Sequence, residues 1–395
     1  MGNNYPPQSS DTQSDIKVAK RHRDSNLELY RIVVMLLIVA HHFVVNSGLN
    51  HDIIDNHDSS LGAYIMLLFG GWGKIGINCF VLITGYYMCK SSITLKKFVK
   101  LYLQIIMYCL ILDLVFMYTG HLEISVESVI KYFWHFVVVT GVDQNFIGCF
   151  LAFWLCIPFL NILVNHLTKR EHGILAILLA VFFILLAFNP LYRVSLDYIE
   201  WFSVLYIIAS YIRFYEFDFS VISHKAWGWL SLISLLLASS SIVMLTWLWA
   251  SGRVSTFAPY FLVADSNMIL AVAVAITTFM WFKSIKLRHS KIINAFGGAT
   301  FGVLLIHANS DAMRQWLWRE TVDVVGHFHS LSTFSMILYS ISAVLGIFVV
   351  CAVIDIARQR WIEPHINPRI ENFLSKIWEV VSNRRILKKP KLHNQ

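Results

Sequence analysis

The sequence predicts an all-α polytopic membrane protein with about ten transmembrane helices. The chain has 395 residues, of which 57% are apolar and only 14% charged, whereas a soluble protein carries roughly 25% charged residues. Its apolar residues recur in runs of about 20, the length that crosses a bilayer as a helix. A bilayer admits only helices and closed barrels, because every backbone polar group needs an internal partner. The alternating pattern of barrel strands is absent.

The apolar runs divide the chain into ten predicted spans and one shorter segment. The shorter segment, 126–141, contains Lys131 and His135, and we expect an interfacial or re-entrant helix there. The predicted spans are 28–48, 67–89, 98–118, 146–165, 173–189, 199–214, 226–249, 259–282, 292–310 and 334–357.

Positive charge gives these spans an orientation. With the N-terminus inside, 26 of the 32 Lys and Arg residues fall in inner segments and five in outer loops. This asymmetry follows the positive-inside rule and predicts that both termini are cytoplasmic, so the number of spans is even. It also explains the net charge of +8 without a nucleic-acid partner. We expect the cell membrane as the location, with the lipid bilayer as a partner.

The chain divides into a membrane domain and two basic tails. We interpret 1–26 as a disordered cytosolic tail, 27–357 as the membrane domain and 358–395 as a second cytosolic tail. In the second tail, apolar residues follow helical spacing, which predicts an amphipathic helix on the inner leaflet. These residues are Ile370, Phe373, Leu374, Ile377, Trp378 and Val381. All six cysteines lie in apolar runs, so we expect no disulfide and no metal site.

The first span, LELYRIVVMLLIVAHHFVV, is unusual because it keeps ionisable residues. Arg31 and His42 are eleven residues apart, so they lie within about 20° on one helix face and roughly 16 Å apart along the axis. Glu28 precedes Arg31 by three residues and can pair with it. Ionisable groups inside a membrane are costly and commonly functional. The structural alternatives are an interfacial anchor for Arg31 and a helix–helix hydrogen bond for His42.

Several stretches also occur in an order that is familiar from one family. The Arg–ten residues–His pattern of the first span is followed by WGKIGINCFVLITGYYM (72–88), ITLKKFVKLYLQ (93–104), CFLAFWLCIPFLN (149–161) and GATFGVLLIHANS (298–310). Over about residues 24–357 the sequence resembles the acyltransferase 3 family of integral membrane O-acyltransferases. Its members transfer acyl groups, commonly acetyl, from cytoplasmic acyl-CoA to sugars of extracytoplasmic glycans. Two departures are Lys97 and Lys100 where the family often has arginine, and Thr84 where it has serine.

The resemblance implies roles for three groups of residues. His42 and Arg31 would be catalytic, with His42 acting as general base or as a transiently acylated nucleophile. Acyl-CoA would be a donor substrate rather than a permanently bound cofactor, and its phosphates would be attracted by Arg31, Lys96, Lys97 and Lys100. The glycan acceptor would contact Asn78, His307 and Asn309. Core packing is the alternative for His307 and Asn309, and membrane orientation is the alternative for the lysines.

Two other functions compete with acyl transfer. A polytopic transporter or glycan flippase would favour paired broken helices and internal repeats, which the sequence lacks. A membrane scaffold would have no need of an aligned Arg31 and His42. The sequence leaves open the glycan, the choice between acetyl and succinyl, and a separate extracytoplasmic transfer protein as a further partner.

Overall fold

The structure is a computed structural model that describes residues 24–123, 125–127, 130, 146–188, 198–254 and 259–387. Within these ranges the chain is helical and contains no strand. The first half comprises α1 (Ser25–Val45), α2 (Leu49–Asp55), α3 (Leu61–Gly70), α4 (Gly73–Met88), α5 (Leu95–Tyr118), α6 (Phe146–His166) and α7 (Lys169–Ala187). The second half comprises α8 (Tyr198–Phe214), α9 (His224–Ala250), α10 (Ile269–Ser284), α11 (Lys291–His307), α12 (Val324–Ser330), α13 (Thr333–Ala357) and α14 (Glu363–Leu387).

Short helical segments join some of these helices. Glu216–Phe219 and Asp311–Arg314 are single helical turns, and the π-helical segments Gln315–Thr321 and Arg358–Ile362 precede α12 and α14. The fold class is therefore the predicted one, an all-helical membrane protein.

Seven helical stretches of the described chain are long and apolar enough to cross a membrane. An eighth is added if the bent pair Lys291–His307 and Asp311–Ser330, which turns by 94°, counts as one span. Each of the ten predicted segments overlaps a helix, but α8 and α10 have only 17 and 16 residues. The count of ten and the cytoplasmic side of the bundle remain predictions.

The structure corrects two of the predicted spans. The second, 67–89, is two helices separated at Gly71 and Trp72, and the preceding helix begins at Leu61. The eighth, 259–282, is wrong over its first ten residues, which form turns and bends before α10 begins at Ile269. Asp, Ser and Asn residues at 265–267 favour turns, because their side chains compete for local backbone hydrogen bonds. The interfacial helix predicted at 126–141 lies largely outside the described residues.

Helix α1 lies at the centre of the bundle and packs against α3, α4, α11 and α13. Glycines permit this close approach. A Cβ at Gly76 of α4 would lie 2.5 Å from Ile38, and one at Gly297 of α11 would lie 2.5 Å from Glu28. Small residues let helix backbones approach in a membrane, where packing contacts replace the hydrophobic effect. The glycines near residues 70–76 thus accompany both a helix break and tight packing.

Polar contacts show how the helix ends are arranged. The beginnings of α1 and α11 meet where Ser25 donates to Asn294 (2.8 Å). The end of α4 joins them through Tyr87, which donates to Asp24 (3.1 Å). The end of α10 joins through Asn26, which donates to the carbonyl of Phe282 (3.1 Å). Helices α1 and α11 therefore run opposite to α4 and α10, as the predicted alternation requires.

The C-terminal end of α13 holds a closed polar cluster. Asp355 is fully buried and accepts hydrogen bonds from Arg358 (2.7 Å), Tyr108 (2.7 Å) and Gln359 (2.7 Å). The contact between Asp355 and Arg358 joins residues three apart, a spacing that favours ion pairs on helices. Helix α14 follows and packs against α5. Its backbone is helical as predicted, but the side chains of Ile377, Trp378 and Val381 lie outside the described part.

Candidate active site

One face of α1 lines a cavity between α1, α4 and α11. The lining residues on that helix include Met35, Ile38, His42 and Val45, which follow Arg31 at four, seven, eleven and fourteen residues and so share its face. The predicted stripe of Arg31 and His42 is therefore the cavity-lining face. Arg31 itself lies beyond the lining residues.

The cavity has a volume of about 140 Å³, about ten times the space needed to hold one water molecule. Its walls combine apolar and aromatic surface with a few polar groups, as is typical of ligand sites. Besides the four residues named above, the lining comprises His41, Asn46, Gly73, Lys74, Ile77, Phe80, Thr84, Phe146, Phe150, Tyr198, Phe301, Leu304 and Arg314.

His42 and His307 form a hydrogen-bonded pair at this cavity. The two side chains are buried, and Nδ1 of His42 lies 2.9 Å from Nε2 of His307. Nδ1 of His307 lies 2.6 Å from the carbonyl oxygen of Val303, which only accepts. When both rings are neutral, His307 donates to Val303 and its Nε2 accepts from His42. The lone pair of His42 then resides on Nε2, the nitrogen needed for proton abstraction.

His42 and His307 therefore lie at the same depth in the bundle, although 265 residues separate them in the sequence. The structural and the catalytic interpretations of His42 are therefore compatible, because His42 forms a helix–helix hydrogen bond and its ring also borders a cavity. A base whose second nitrogen is bonded to a fixed partner has a defined tautomer and orientation. His307 is therefore placed to orient His42.

His41 also borders the cavity, but its ring is fixed by the backbone. Its Nδ1 donates to the carbonyl oxygen of Gly70 (2.5 Å), and Gly73 packs directly against the ring. A side chain at position 73 would collide with that ring. The helix break between α3 and α4 thus supplies both the acceptor and the space for His41.

Arg31 is held at the opposite end of the α1 stripe. Its guanidinium forms an ion pair with Glu28 (3.2 Å) and lies 5.8 Å from the ring centre of Tyr87. The predicted pairing of Glu28 with Arg31 is confirmed. The side chain of Arg31 is 24% exposed, so it remains accessible to a ligand at that end.

Two predicted substrate-binding residues contribute to packing instead of lining the cavity. Asn78 is fully buried, donates to the carbonyl of Ser266 (2.6 Å) and accepts from Trp201 (2.8 Å). Asn309 donates to the carbonyl of Leu305 (3.1 Å). Their amides join helices and turns around the site.

The three predicted lysines lie in the first turns of α5, away from the cavity lining. Lys97 donates to Ser91 (2.8 Å) and to the carbonyl of Ser92 (2.7 Å) at the start of this helix. Lys96 and Lys100 lie on the same turns and are partly exposed. The structure therefore does not bring these lysines next to His42, and their attraction for CoA phosphates stays a prediction.

Asp113 and Asp265 are carboxylates within predicted spans, where each could partner a histidine or Lys74. In the described part of the chain neither is bonded to these groups, and Asp265 is exposed. Lys74 donates instead to the hydroxyl of Tyr198. Within that part, no group of three or more His, Cys, Asp or Glu residues is arranged to hold a metal ion.

Comparison with known proteins identifies the family of the chain. A family model, described as an acyltransferase domain of the acyltransferase 3 type, matches residues 24–356. This chain belongs to the acyltransferase 3 family. It is a multi-pass membrane protein and an acyltransferase. No curated protein and no solved structure matches the chain.

Three cavity residues of this acyltransferase escaped the sequence analysis of the site. Asn46 follows His42 by four residues, so helical spacing alone was a usable signal. Tyr198 and Arg314 come from distant parts of the chain, and no local pattern reveals that they face His42. Thr84 also borders the cavity, and its hydroxyl donates to the carbonyl of Phe80 (2.8 Å).

Proposed function

We propose that this acyltransferase moves an acyl group, by preference acetyl, from cytoplasmic acyl-CoA to a hydroxyl of a cell-envelope or extracellular polysaccharide. The cell membrane is the proposed location. The single observation that carries the proposal is His42, which lines a cavity on the same α1 face as Arg31 and is hydrogen-bonded to His307. The membership of the acyltransferase 3 family supports it.

The chemistry needs a base at the acceptor hydroxyl. In the proposed step Nε2 of His42 takes the hydroxyl proton while the alcohol oxygen attacks the thioester carbonyl carbon. The tetrahedral intermediate then expels the CoA thiolate, which receives the proton from His42. Throughout, Nδ1 of His42 keeps donating to His307, and this contact stabilises the imidazolium as the triad carboxylate does in hydrolases.

The donor is proposed to reach His42 from the Arg31 end of the stripe. Arg31 lies eleven residues earlier on the same face, roughly 16 Å along the helix. That span suits a CoA molecule whose phosphates stay near Arg31 while the thin pantetheine arm enters the bundle. Lys96, Lys97 and Lys100 would add to the attraction from the same side of the membrane.

The test is a transfer assay with membranes that contain the full-length protein. They are incubated with acetyl-CoA labelled in the acetyl group, and both CoA release and label on envelope glycan are measured. We expect transfer that depends on His42 and is lost in His42→Ala. Wild-type membranes that neither release CoA nor label glycan would contradict the proposal, as would a His42→Ala variant with full transfer.

A matched control is available at another buried histidine. His172 is fully buried and hydrogen-bonded to the carbonyl of Ile207 (3.0 Å), outside the cavity. His172→Gln should retain transfer wherever it retains the folded protein. Rapid denaturation in detergent near neutral pH, followed by a search for label on His42, distinguishes the acyl-histidine route from the general-base route.

A further inference from the structure

The described lining of the His42 cavity contains two cations and no carboxylate. The cations are Lys74 and Arg314. We propose that this acyltransferase acts on a carboxylate-bearing substrate, and that Lys74, assisted by Arg314, binds the carboxylate beside the group being transferred. The inference rests on the proposed function and names the class of substrate for it.

The position of Lys74 supports the proposal more strongly than that of Arg314. It lies near the middle of the 28-residue apolar stretch Leu61–Met88, which is long enough to cross a membrane. Its ammonium donates to the hydroxyl of Tyr198 and lies 5.0 Å from the centre of that ring. Among the described residues no carboxylate lies within 4.0 Å of the ammonium.

A lysine in this position is costly unless an anion compensates it. Charged side chains within a membrane commonly pair with one another or mark a substrate path. A neutral tyrosine hydroxyl satisfies one N–H of Lys74 but leaves the charge without compensation. A carboxylate in the cavity would supply the missing charge and accept further hydrogen bonds.

Arg314 can join such a contact at little cost. Its side chain is 17% exposed and lines the cavity, and it is bonded to Asp311, whose side chain is 92% exposed. Ion pairs with so exposed a partner contribute about 0–1 kcal/mol. A ligand carboxylate could therefore share or replace Asp311 as the partner of Arg314, with the planar geometry that guanidinium groups favour.

The position of Lys74 excludes the phosphates of CoA as its partner in this scheme. Gly73, its neighbour, packs against His41 at the His42 end of α1. Phosphates held near Arg31 would be separated from this level by roughly 15 Å. The carboxylate must instead belong to the transferred acyl group, as in a succinyl half-ester, or to an acidic sugar of the acceptor.

The experiment compares charged and neutral substrates in membranes that contain the full-length protein. CoA release is measured with acetyl-CoA and with succinyl-CoA, which separates the two acyl groups. The sugar that carries the new ester in envelope glycan is then identified by mass spectrometry, which separates uronic acids from neutral sugars. The variants are Lys74→Gln, Lys74→Arg and, as an exposed cation outside the cavity, Arg253→Gln.

We expect the wild type to use succinyl-CoA or to esterify an acidic residue. Lys74→Gln should lose roughly tenfold or more on the carboxylate-bearing substrate, the value of about one charge-assisted hydrogen bond, and much less on a neutral one. Lys74→Arg should retain part of the preference, and Arg253→Gln should retain all of it.

Three results would overturn the inference. An equal loss on charged and neutral substrates would mean that Lys74 acts in the transfer step whatever the substrate. A wild type that moves acetyl onto neutral sugars only would leave no carboxylate to bind. Wild-type membranes without any transfer would remove the proposed function itself, so the two failures are distinguishable.

A carboxylate of this chain is the alternative to a substrate carboxylate as the partner of Lys74. Asp143 and Asp197 lie outside the described residues and are close in sequence to the cavity residues Phe146 and Tyr198. If either supplied the partner of Lys74, Asp143→Asn or Asp197→Asn would change transfer of both substrates as Lys74→Gln does. With a substrate carboxylate, these variants should leave the preference for the charged substrate intact.

Discussion

Two buried polar clusters lie on the helices around α1, and they differ in what completes them. The Asp355 cluster is closed, because Tyr108, Arg358 and Gln359 each donate to the carboxylate at 2.7 Å. The His42 cluster borders a cavity of about 140 Å³. Asp355, His42 and His307 are all buried. Burial of a polar side chain therefore does not by itself mark a functional site, whereas burial beside a cavity does.

The comparison also predicts what each cluster contributes. A closed network of charges is coupled to folding, since removal of one partner leaves the others buried and unpaired. A pair at a cavity wall can be altered with less effect on folding, because the space for a ligand already exists. Substitutions in the two clusters should therefore separate loss of activity from loss of stability.

The largest effect is expected on activity in His42→Ala. Loss of a general base lowers the rate by roughly 10²–10⁴-fold, and the thermal unfolding midpoint in detergent should stay close to that of the wild type. Transfer from labelled acetyl-CoA and unfolding are measured on the same preparation. A large drop in the midpoint with a proportional loss of transfer would mean that His42 belongs with the structural cluster.

The next effect is expected on stability in Asp355→Ala. This substitution leaves Arg358, whose side chain is only 11% exposed, without its buried carboxylate. Breaking such a pair costs about 3–5 kcal/mol. Unfolding in detergent tests it, with Asp218→Ala as the control, because the pair of Asp218 with Lys169 is exposed and should contribute little to stability.

The two clusters also show how far the sequence could lead. Arg31 and His42 were found because helical spacing places them on one face, and that face does line the cavity. Local spacing also favours the bond of Asp355 to Arg358, because the two residues are three apart. Tyr108 is 247 residues from Asp355, and only the packing of α5 against the end of α13 reveals that bond.

Contacts between distant parts of the chain also explain why the sequence did not reveal the surroundings of Asn78, and apolar composition explains the missed helix break. Asn78 fits a family pattern, yet its amide is used by Trp201 and Ser266, which no local signal indicates. The turn at 259–268 was missed because its composition is nearly as apolar as a span. Helical periodicity shows which residues share one face of a helix, whereas the residues that contact this face depend on the tertiary structure.

A smaller effect is expected for Tyr108→Phe, which removes one donor to Asp355 and keeps the ring. A hydrogen bond to a charged group contributes about 1.5–3 kcal/mol, and Arg358 and Gln359 would still compensate the carboxylate. Unfolding should shift in that range without a selective loss of transfer. Tyr118→Phe, on the same helix but 93% exposed, should have no effect; an equal shift in both variants would argue against the closed cluster.

The smallest effect is expected for His307→Gln, and it tests how the cavity pair works. His307 touches His42 rather than the reacting atoms in the proposed step, so it is a positioning residue. A glutamine side chain offers an oxygen that can accept from Nδ1 of His42, and His307→Ala offers none. We expect His307→Ala to lower kcat roughly tenfold, the value of about one hydrogen bond, with little change in KM for acetyl-CoA.

His307→Gln should recover part of that loss. A purely structural His307 would give a different pattern, since both variants would unfold at lower temperature and lose active protein without a change in kcat per folded molecule. Measuring the amount of folded protein in each preparation, together with the rate, decides between a positioning role and a structural role of His307. Recovery by glutamine would mean that His42 requires a hydrogen-bond acceptor for its Nδ1. Substitutions in the closed Asp355 cluster should instead change stability without such a selective effect on kcat.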